Sequence, residues 1–459
     1  MRSPDPIAPR APLRPLLAKE LSEVLGGRAL WTMLLLLCPL AGFSFFQAVS
    51  LYGEASAAAR DQSQLASGLS PFDGIFVPTF GGVYLAVTLL FPFVAIRALG
   101  REKETGALRL LVQMPYAMPT LVGAKMIAIA AAWFIAIVPA LSALIIWRLF
   151  GGHLSAPEMF VLLLGHLLYG LLVGAIALFA AAVCESSATA AIVALAFTIG
   201  SWVLDFTLAG QPGLLHWISL LSVTQALRSF EQGLLSLGLV VGVLTVIAGF
   251  AALAAAWLHP GTPLRIKLTR SLACVMVVVL VLLGAPQLGR TRDLTEDRRN
   301  SFPVADQTEL AKLPAPLLVT VHLVPEDPRY VDLRRNVLAK LERVVPKLTI
   351  KLDTTGQTVI GSTADESYGE IEYSYGGRAI KTRSTSHREA LPLIYELAGV
   401  PIPAPVPGQD YPGYPLVARG ELALPWFFGV LPLLIGILWW SSRRAPAGRP
   451  RFIANGGQA

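Results

Sequence analysis

The sequence is poor in charged residues and in cysteine. Only 15% of its 459 residues are charged, whereas 54% are hydrophobic, which lies outside the usual range of soluble globular proteins. The three cysteines, Cys38, Cys184 and Cys274, all lie in or at the ends of apolar runs, so they indicate no disulfide framework. No glycine-rich loop ends in Gly-Lys-Ser/Thr. We therefore expect that this chain does not hold ATP phosphates in the P-loop manner.

Histidine is also scarce and scattered. None of the six histidines has a second histidine, a cysteine or a carboxylate at the spacing of zinc ligands. They are His153, His166, His216, His259, His322 and His387. No pattern of nucleophile and base stands out either. We expect no metal site, no cofactor bound by this chain and no catalytic residue, and hence a protein that is not itself an enzyme.

Long apolar runs are abundant. Eight of them approach or exceed the length of about 20 residues that crosses a bilayer. They cover roughly 30–50, 77–97, 121–147, 159–183, 188–208, 234–258, 269–288 and 423–441. The first run lacks a small-residue cleavage pattern, so we expect a retained span and no removable signal peptide. The sequence thus predicts an α-helical polytopic membrane protein with about eight transmembrane helices.

The distribution of lysine and arginine predicts the orientation. Segments 1–29, 97–125, 259–270 and 442–459 together contain 17 of these residues, whereas the alternate short loops contain three. By the positive-inside rule both termini are cytoplasmic and residues 291–422 are extracytoplasmic. The net charge of +7 comes mostly from these anchors, so it does not indicate a nucleic-acid partner.

Residues 291–422 have the alternation and turn residues of a folded α/β domain. Predicted strands at Leu317–Val324, Lys347–Leu352, Glu370–Tyr375 and Arg378–Thr382 combine with helices at Arg329–Val344 and His387–Ala398. Gly376-Gly377 is typical of a hairpin turn. The first helical crossover predicts that the first two strands are parallel. We expect a small α/β domain between the last two spans.

The most informative segment is the charged loop between spans two and three. Its pattern predicts one amphipathic helix over 101–118, with Leu108 and Leu111 on one face and Glu102 and Glu104 near its start. Pro115 is expected to end it. Such a helix, lying on one membrane face, is what a membrane subunit needs to receive force from a soluble partner.

These residues carry a family resemblance. The order Glu102, Lys103, Gly106, Leu108, Leu110, Leu111, Pro115, Lys125 resembles the coupling-helix segment of permeases of type-2 ABC exporters. The Lys19-Glu20-Leu21 sequence, in an amphipathic helix predicted at 13–28, is similar to the elbow helix with which those permeases begin. The resemblance covers residues 1 to about 260. It implies an ABC ATPase partner that binds ATP, and a second permease copy or paralogue that completes a dimer.

A second resemblance begins after the seventh span. Asp293, Thr295, Ser301 and Thr308, followed by the strand at Leu317–Val324, resemble the opening of the GldG-like auxiliary domain of gliding-type ABC systems. The chain is therefore interpreted as a GldF-like permease fused to a GldG-like domain. This domain lacks much of the family's usual extension, so a shared ligand role does not follow.

The predicted organisation has five parts. They are a tail and elbow helix at 1–29, a six-span permease at 30–260, a link and span seven at 261–290, the α/β domain at 291–422, and span eight with a basic tail at 423–459.

The predicted functional residues fall into two sets. Contacts to the ATPase are expected from Glu102, Lys103, Glu104, Gly106, Leu108, Arg109, Leu111 and Pro115. A substrate path is suggested by His166 and Asp205, because ionisable residues inside spans often mark function. For His166 the alternative is a helix-packing histidine, and for Asp205 it is a solvated acid near the outer end of its span.

The predicted function is the membrane permease of an ATP-driven export system in the bacterial inner membrane, with an unknown substrate. Reversing the charges of Glu102 and Glu104 is then expected to uncouple ATP hydrolysis from transport. One alternative is a non-transporting scaffold of an envelope or motility complex regulated by an ABC ATPase. The other is a membrane enzyme acting on lipid or peptide, for which only His166 and Asp205 are candidates.

Overall fold

We describe a computed structural model of the chain. The structure describes residues 13–60, 62–208, 223–289, 291–324, 327–353, 367–404 and 411–444. It is mostly helical, at 72%. Within the described residues, eight helical segments are long and apolar enough to cross a membrane. The predicted class, a polytopic α-helical membrane protein with a small α/β domain, is confirmed.

The helices of the membrane region follow the apolar runs. In chain order they are α1 Leu13–Leu25, α2 Arg28–Ala58, α3 Val77–Glu104, α4 Ala107–Gln113, α5 Met118–Ala136, α6 Val138–Leu149, α7 Ala156–Val183, α8 Ser187–Leu208, α9 Val223–Glu231, α10 Leu237–Leu258, α11 Leu264–Gly284 and α16 Leu431–Arg444. A helical turn at Ser63–Ala66 and a π-helical turn at Phe72–Phe76 precede α3. Turns at Gly420–Ala423 and Trp426–Val430 lead into α16.

The third span differs from the prediction in detail. We predicted one helix over 121–147, whereas the structure divides the span between α5 and α6 at Ile137. Pro139 lies in the first turn of α6. Its ring removes an N–H donor from the backbone hydrogen-bond ladder, so a new helix begins there.

Helix α7 lies at the centre of the bundle, and small residues permit its close packing. A Cβ atom added at Gly170 would lie 1.9 Å from the indole of Trp133 on α5, and one added at Gly165 would lie 2.3 Å from Phe230 on α9. Glycine therefore lets both neighbours approach the α7 backbone, as is common where helices pack in membranes.

The remaining elements form a second unit after α11, which we call the sheet domain. It contains β2 Arg292–Asp293, α12 Val304–Leu310, β3 Leu317–Val321, α13 Pro328–Leu333, α14 Ala339–Val344, β4 Leu348–Leu352, β5 Ile371–Tyr375, β6 Arg378–Thr382 and α15 His387–Ala398. A turn at Ala285–Gln287 precedes β2, and a π-helical turn at Arg334–Leu338 joins α13 to α14. Helix α12 was not predicted.

The four longer strands form one sheet in the order β4-β3-β5-β6. Strands β3 and β4 are parallel, as the crossover predicted, and the other two pairings are antiparallel. Helix α15 ends at Gly399, whose φ of 68° suits glycine. The sheet domain buries its own apolar core, which includes Val319, Tyr373 and Ile394 and is separate from the core of the bundle.

The sheet domain is joined to the bundle by a strand pair that the sequence did not indicate. Strand β1, Leu234–Leu235, lies between α9 and α10 and pairs antiparallel with β2. Asp293 then organises the following turn, because its carboxylate accepts hydrogen bonds from the hydroxyls of Thr295 at 2.6 Å and Ser301 at 2.9 Å. These three residues carried the second family resemblance.

Side chains complete this junction. The guanidinium of Arg299 lies 2.9 Å from Asp73 and donates to the Ser70 hydroxyl at 2.7 Å. The Glu296 amide donates to the Glu158 carboxylate at 2.9 Å, and Tyr414 stacks on His153 with ring centroids 3.6 Å apart. Arg299, Glu296 and Tyr414 thus connect the later half of the chain to the first half. We call this end of the bundle the sheet end.

Candidate functional site

The opposite end of the bundle carries the loop that the sequence singled out, and we call it the α4 end. The expected single helix over 101–118 is wrong. Helix α3 continues to Glu104, and Gly106 then adopts a left-handed conformation with φ 75° before the seven-residue α4 begins. Glycine adopts this conformation at little cost. Glu102, Lys103 and Glu104 therefore end a span, whereas we expected them to start the amphipathic helix.

Glu102 lies inside the protein. Its side chain is 2% exposed, and one carboxylate oxygen is 2.7 Å from the ammonium of Lys125 on α5. The same ammonium lies 2.9 Å from Glu20 on α1 and donates to the Ala98 carbonyl at 2.6 Å. Lys125 and Glu20 are fully buried. These contacts join α1, α3 and α5 through one dehydrated cluster of charges.

Lys19 extends this cluster toward the surface. Its ammonium bonds to Glu102 and lies 3.1 Å from Glu20 and 3.4 Å from Glu23. Burial raises the pKa of the Glu20 carboxyl, although Lys125 acts in the opposite direction. Burial also lowers the pKa of Lys19, but the hydrogen bond to Glu102 and the negative charges of Glu20, Glu102 and Glu23 together outweigh burial and leave the pKa raised.

The carboxylates of this cluster also have the spacing of metal ligands. Among the described residues, Glu20, Glu23 and Glu102 form the one group of three acidic or histidine side chains close enough to hold an ion. Two ammonium groups, those of Lys19 and Lys125, already pair with these carboxylates and offset two of the three negative charges. The arrangement therefore fits an internal salt-bridge network better than a metal centre.

Lys103 and Glu104 connect α3 to the turn between α7 and α8. The ammonium of Lys103 donates to the backbone carbonyls of Ala181, Ala182 and Cys184 at 2.6–2.9 Å. It thus satisfies carbonyls at the C-terminus of α7, where a positive charge is favourable. Glu104 accepts a 2.6 Å hydrogen bond from Ser187 at the start of α8.

The two faces of α4 have different environments. Leu111 is 8% exposed and packs against Leu16 of α1, and Leu108 is half-buried against the bundle core. The contact with the ATPase that we expected of Leu111 does not fit this packing, whereas the one expected of Leu108 stays a prediction. Arg109 and Pro115 are exposed. The apolar side chains that α4 and the following turn expose are Leu110, at 65%, and Met114, at 49%.

The two residues of the expected substrate path are only partly described. His166 is buried on α7, where its ring lies 5.0 Å from that of Phe80 and its Nε2 is 3.5 Å from a carboxylate oxygen of Glu231 on α9. Asp205 lies near the end of α8, but its side chain is outside the described part of the structure.

Sequence reasoning missed the partnership of Glu20, Lys125 and Glu102. The signal was present, since Lys19-Glu20-Leu21 places two charges, and Gly123-Ala124-Lys125 one charge, beside an apolar helix face. What the sequence could not give was the contact between residues 105 positions apart.

The charged end of α3, the short exposed α4 and nearly all of the elbow helix α1 lie within one segment that matches a known family. Residues 14–227 match the model of the ABC-2 family transporter proteins. The ABC-2 match begins in α1 and ends within α9, so it includes the buried charge cluster and α4. No curated protein and no solved structure is significantly similar to the chain. The ABC-2 match supports a transmembrane permease component of an ABC system.

Proposed function

We propose that the chain is the permease subunit of an ATP-driven export system and that α4 is its docking element for a separate ABC ATPase. The observation that carries this proposal is the construction of the α4 end. An exposed apolar and basic surface, formed by Arg109, Leu110 and Met114, stands on a base of buried ion pairs. Groups with this exposure suit a protein interface, where methionine and arginine are enriched.

The charge cluster gives α4 a rigid support. Because Lys125 bonds to both Glu20 and Glu102, a push on α4 reaches α1, α3 and α5 together. The bonds of Lys103 extend the connection to α7 and α8. ATP binding and hydrolysis by the partner would then move several spans as one body.

The wider assignment follows from this proposal and from the two sequence resemblances. Both termini and α4 face the cytoplasm, the sheet domain lies outside the inner membrane of a bacterial cell, and two permease chains, identical or paralogous, form the transport path. Residues 291–422 act as a GldG-like auxiliary domain that receives or scaffolds the cargo. ATP is bound by the partner.

The test is co-purification of the full-length chain in mild detergent, followed by an ATPase assay. We expect a P-loop ATPase to accompany the wild-type chain. The amount of ATPase that co-purifies with the double variant Arg109→Glu, Leu110→Asp should be lower by about tenfold or more, because both changes fall on the exposed surface proposed as the interface. Glu102 is not a suitable target, since reversing its buried charge would disrupt the fold.

A matched control is provided by Leu264 and Arg265, an exposed leucine-arginine pair at the start of α11. The double variant Leu264→Asp, Arg265→Glu should retain the ATPase. Equal retention by both double variants, or the absence of an ATPase from the wild-type preparation, would overturn the proposal.

A second candidate function is a non-transporting scaffold that an ABC ATPase regulates. It is favoured by the sheet domain, which has its own core and is attached to the bundle by a strand pair and by an ion pair. An ATPase that binds the chain while deletion of the gene causes no cargo to accumulate would support the scaffold.

A further inference from the structure

A buried histidine in the centre of the bundle lacks a hydrogen bond. His166 lies about 15 Å along α7 from its first residue, given a rise of about 1.5 Å per residue. Its side chain is 3% exposed, and among the described residues its Nε2 has no hydrogen-bond partner. A buried polar nitrogen without a partner is unfavourable and calls for an explanation.

The nearest acid is positioned to supply that partner. A carboxylate oxygen of Glu231, the last residue of α9, lies 3.5 Å from Nε2 of His166, and the Glu231 side chain is 17% exposed. A charge-assisted hydrogen bond between such groups is typically about 2.7–2.9 Å long. The pair is therefore close but not bonded.

The surroundings of the pair contain few other charges. Tyr169 on α7 interacts electrostatically with Glu231, Tyr84 on α3 lies against Tyr169 with ring centroids 5.0 Å apart, and Arg228 lies in the same last turn of α9 as Glu231. Tyr169 is hydrogen-bonded to Thr88 at 2.7 Å. Of the other helices packed against α7, α10 contains no titratable residue and α5 contains only Lys125, which bonds to Glu20 and Glu102. Helix α8 contains Asp205, whose side chain is not described.

We propose that His166 and Glu231 bind one proton between them, and that this proton holds α9 against α7. The proton comes from water and adds to the imidazole, the side chain that ordinarily changes charge between pH 5 and 8. The imidazolium then donates a hydrogen bond to the Glu231 carboxylate. Burying a charge costs free energy unless it is paired, and the imidazolium pairs with the Glu231 carboxylate, whose side chain is only 17% exposed. Because the ligand is a proton, the His166–Glu231 pair can bind it without a cavity.

The proton-binding pair is connected to the sheet domain. The residue after Glu231 is Gln232, whose carbonyl accepts a 2.6 Å hydrogen bond from the Asn300 side chain. The next carbonyl, that of Gly233, accepts a 3.0 Å bond from the Leu294 amide. A change in the position of α9 is therefore transmitted directly to the sheet domain.

The test is hydrogen-deuterium exchange of the full-length chain in detergent at pH 5.5 and pH 8.0, with each rate corrected for the intrinsic chemical exchange rate. The ligand is the proton itself, supplied by the buffer. We expect residues 223–231 to exchange about tenfold more slowly at pH 5.5, which is the effect of one additional charge-assisted hydrogen bond.

Three variants decide the outcome. His166→Gln and Glu231→Gln, which keep the size of each side chain, should each remove the pH difference in α9. His259→Gln alters an exposed histidine after α10 and should leave the pH difference in α9 unchanged. The proposal fails if the wild-type chain shows no difference, or if Glu231→Gln retains it. Should His166→Gln not fold, Glu231→Gln alone decides. No ATPase is present, so the result is independent of the proposed function.

Discussion

The two ends of the bundle are held together by different physical means. At the α4 end, a few complete charges bond inside the protein, where Glu20, Glu102 and Lys125 are at most 2% exposed. At the sheet end, the contacts are numerous and partly buried, and many are hydrogen bonds to the backbone. Examples are Asn300 with the Gln232 carbonyl, and Tyr52 with the Tyr414 carbonyl.

This difference affects how each end responds to a change. Removing one partner from a buried ion pair leaves a dehydrated charge and costs about 3–5 kcal/mol. Removing a single hydrogen bond between neutral groups costs about 0.5–1.5 kcal/mol. The α4 end therefore moves as one body, and loss of one charge destabilises all of it. The sheet end, in contrast, can lose a single contact and keep its structure. That behaviour suits the proposed function, in which the α4 end receives force from the ATPase and the sheet end changes its contacts in response.

The strongest test of this comparison is Lys125→Met. The substitution keeps an unbranched side chain one atom shorter but leaves Glu20 and Glu102 without a buried counter-charge. We expect a loss of about 3–5 kcal/mol in the free energy of unfolding. The measurement is thermal unfolding of the full chain in detergent. Lys103→Met, which removes hydrogen bonds to carbonyls only, should cost clearly less. Similar losses for the two variants would contradict the comparison.

An intermediate effect is expected for Arg299→Met at the sheet end. Burial lowers the pKa of Arg299, but Asp73 and Asp297 outweigh this and raise it, which indicates a well-paired cation. Losing these bonds should cost about 1.5–3 kcal/mol locally. Hydrogen exchange should then rise in residues 291–302, while the strands of the sheet domain stay protected. Arg298→Met changes the exposed neighbour and should leave exchange unaltered. Unfolding of the whole chain by Arg299→Met would erase the proposed difference between the ends.

The smallest effect is expected from a surface pair that belongs to neither end. Hydrogen bonds from the Arg329 side chain and amide lower the pKa of Asp327 to about 2. Since the ordinary value is 3.8, this pair stabilises the sheet domain above about pH 4 and the contribution is lost as the pH falls toward 2. Asp327→Asn keeps a capping side chain at the start of α13. This variant should lack the loss of stability that the pair causes between about pH 4 and pH 2. The measurement is hydrogen exchange in β3 and β4 between pH 2 and pH 7. An unchanged acid response would show that the pair contributes nothing measurable.

Local patterns in the sequence were enough to predict most of the sheet domain. Helix α15 has the predicted bounds, His387–Ala398, because Ser386 caps its start and Gly399 ends it. The hairpin at Gly376-Gly377 formed as expected, since both glycines have positive φ. These features depend on residues that are neighbours along the chain.

The candidate site was predicted less well, because its geometry depends on distant residues. The charges of Glu102 and Lys103 suggested a solvated loop, but both side chains bond to partners on α1, α5 and α7, so Glu102 is buried and Lys103 is partly buried. The 3.6-residue periodicity identified Leu108 and Leu111 as an apolar face correctly, yet it could not decide whether the protein or a partner covers that face. Packing against Leu16 decided it.

The junction at the sheet end also has a consequence for biosynthesis. The Tyr52 hydroxyl donates to the Tyr414 carbonyl, and the Leu416 amide donates to the Ser56 hydroxyl, across 362 and 360 positions of sequence. The ribosome makes the first partner long before the second. The end of α2 therefore lacks these two partners until residues 414 and 416 have been translated. A truncated product lacking residues beyond 410 has neither bond, so the junction closes late in folding.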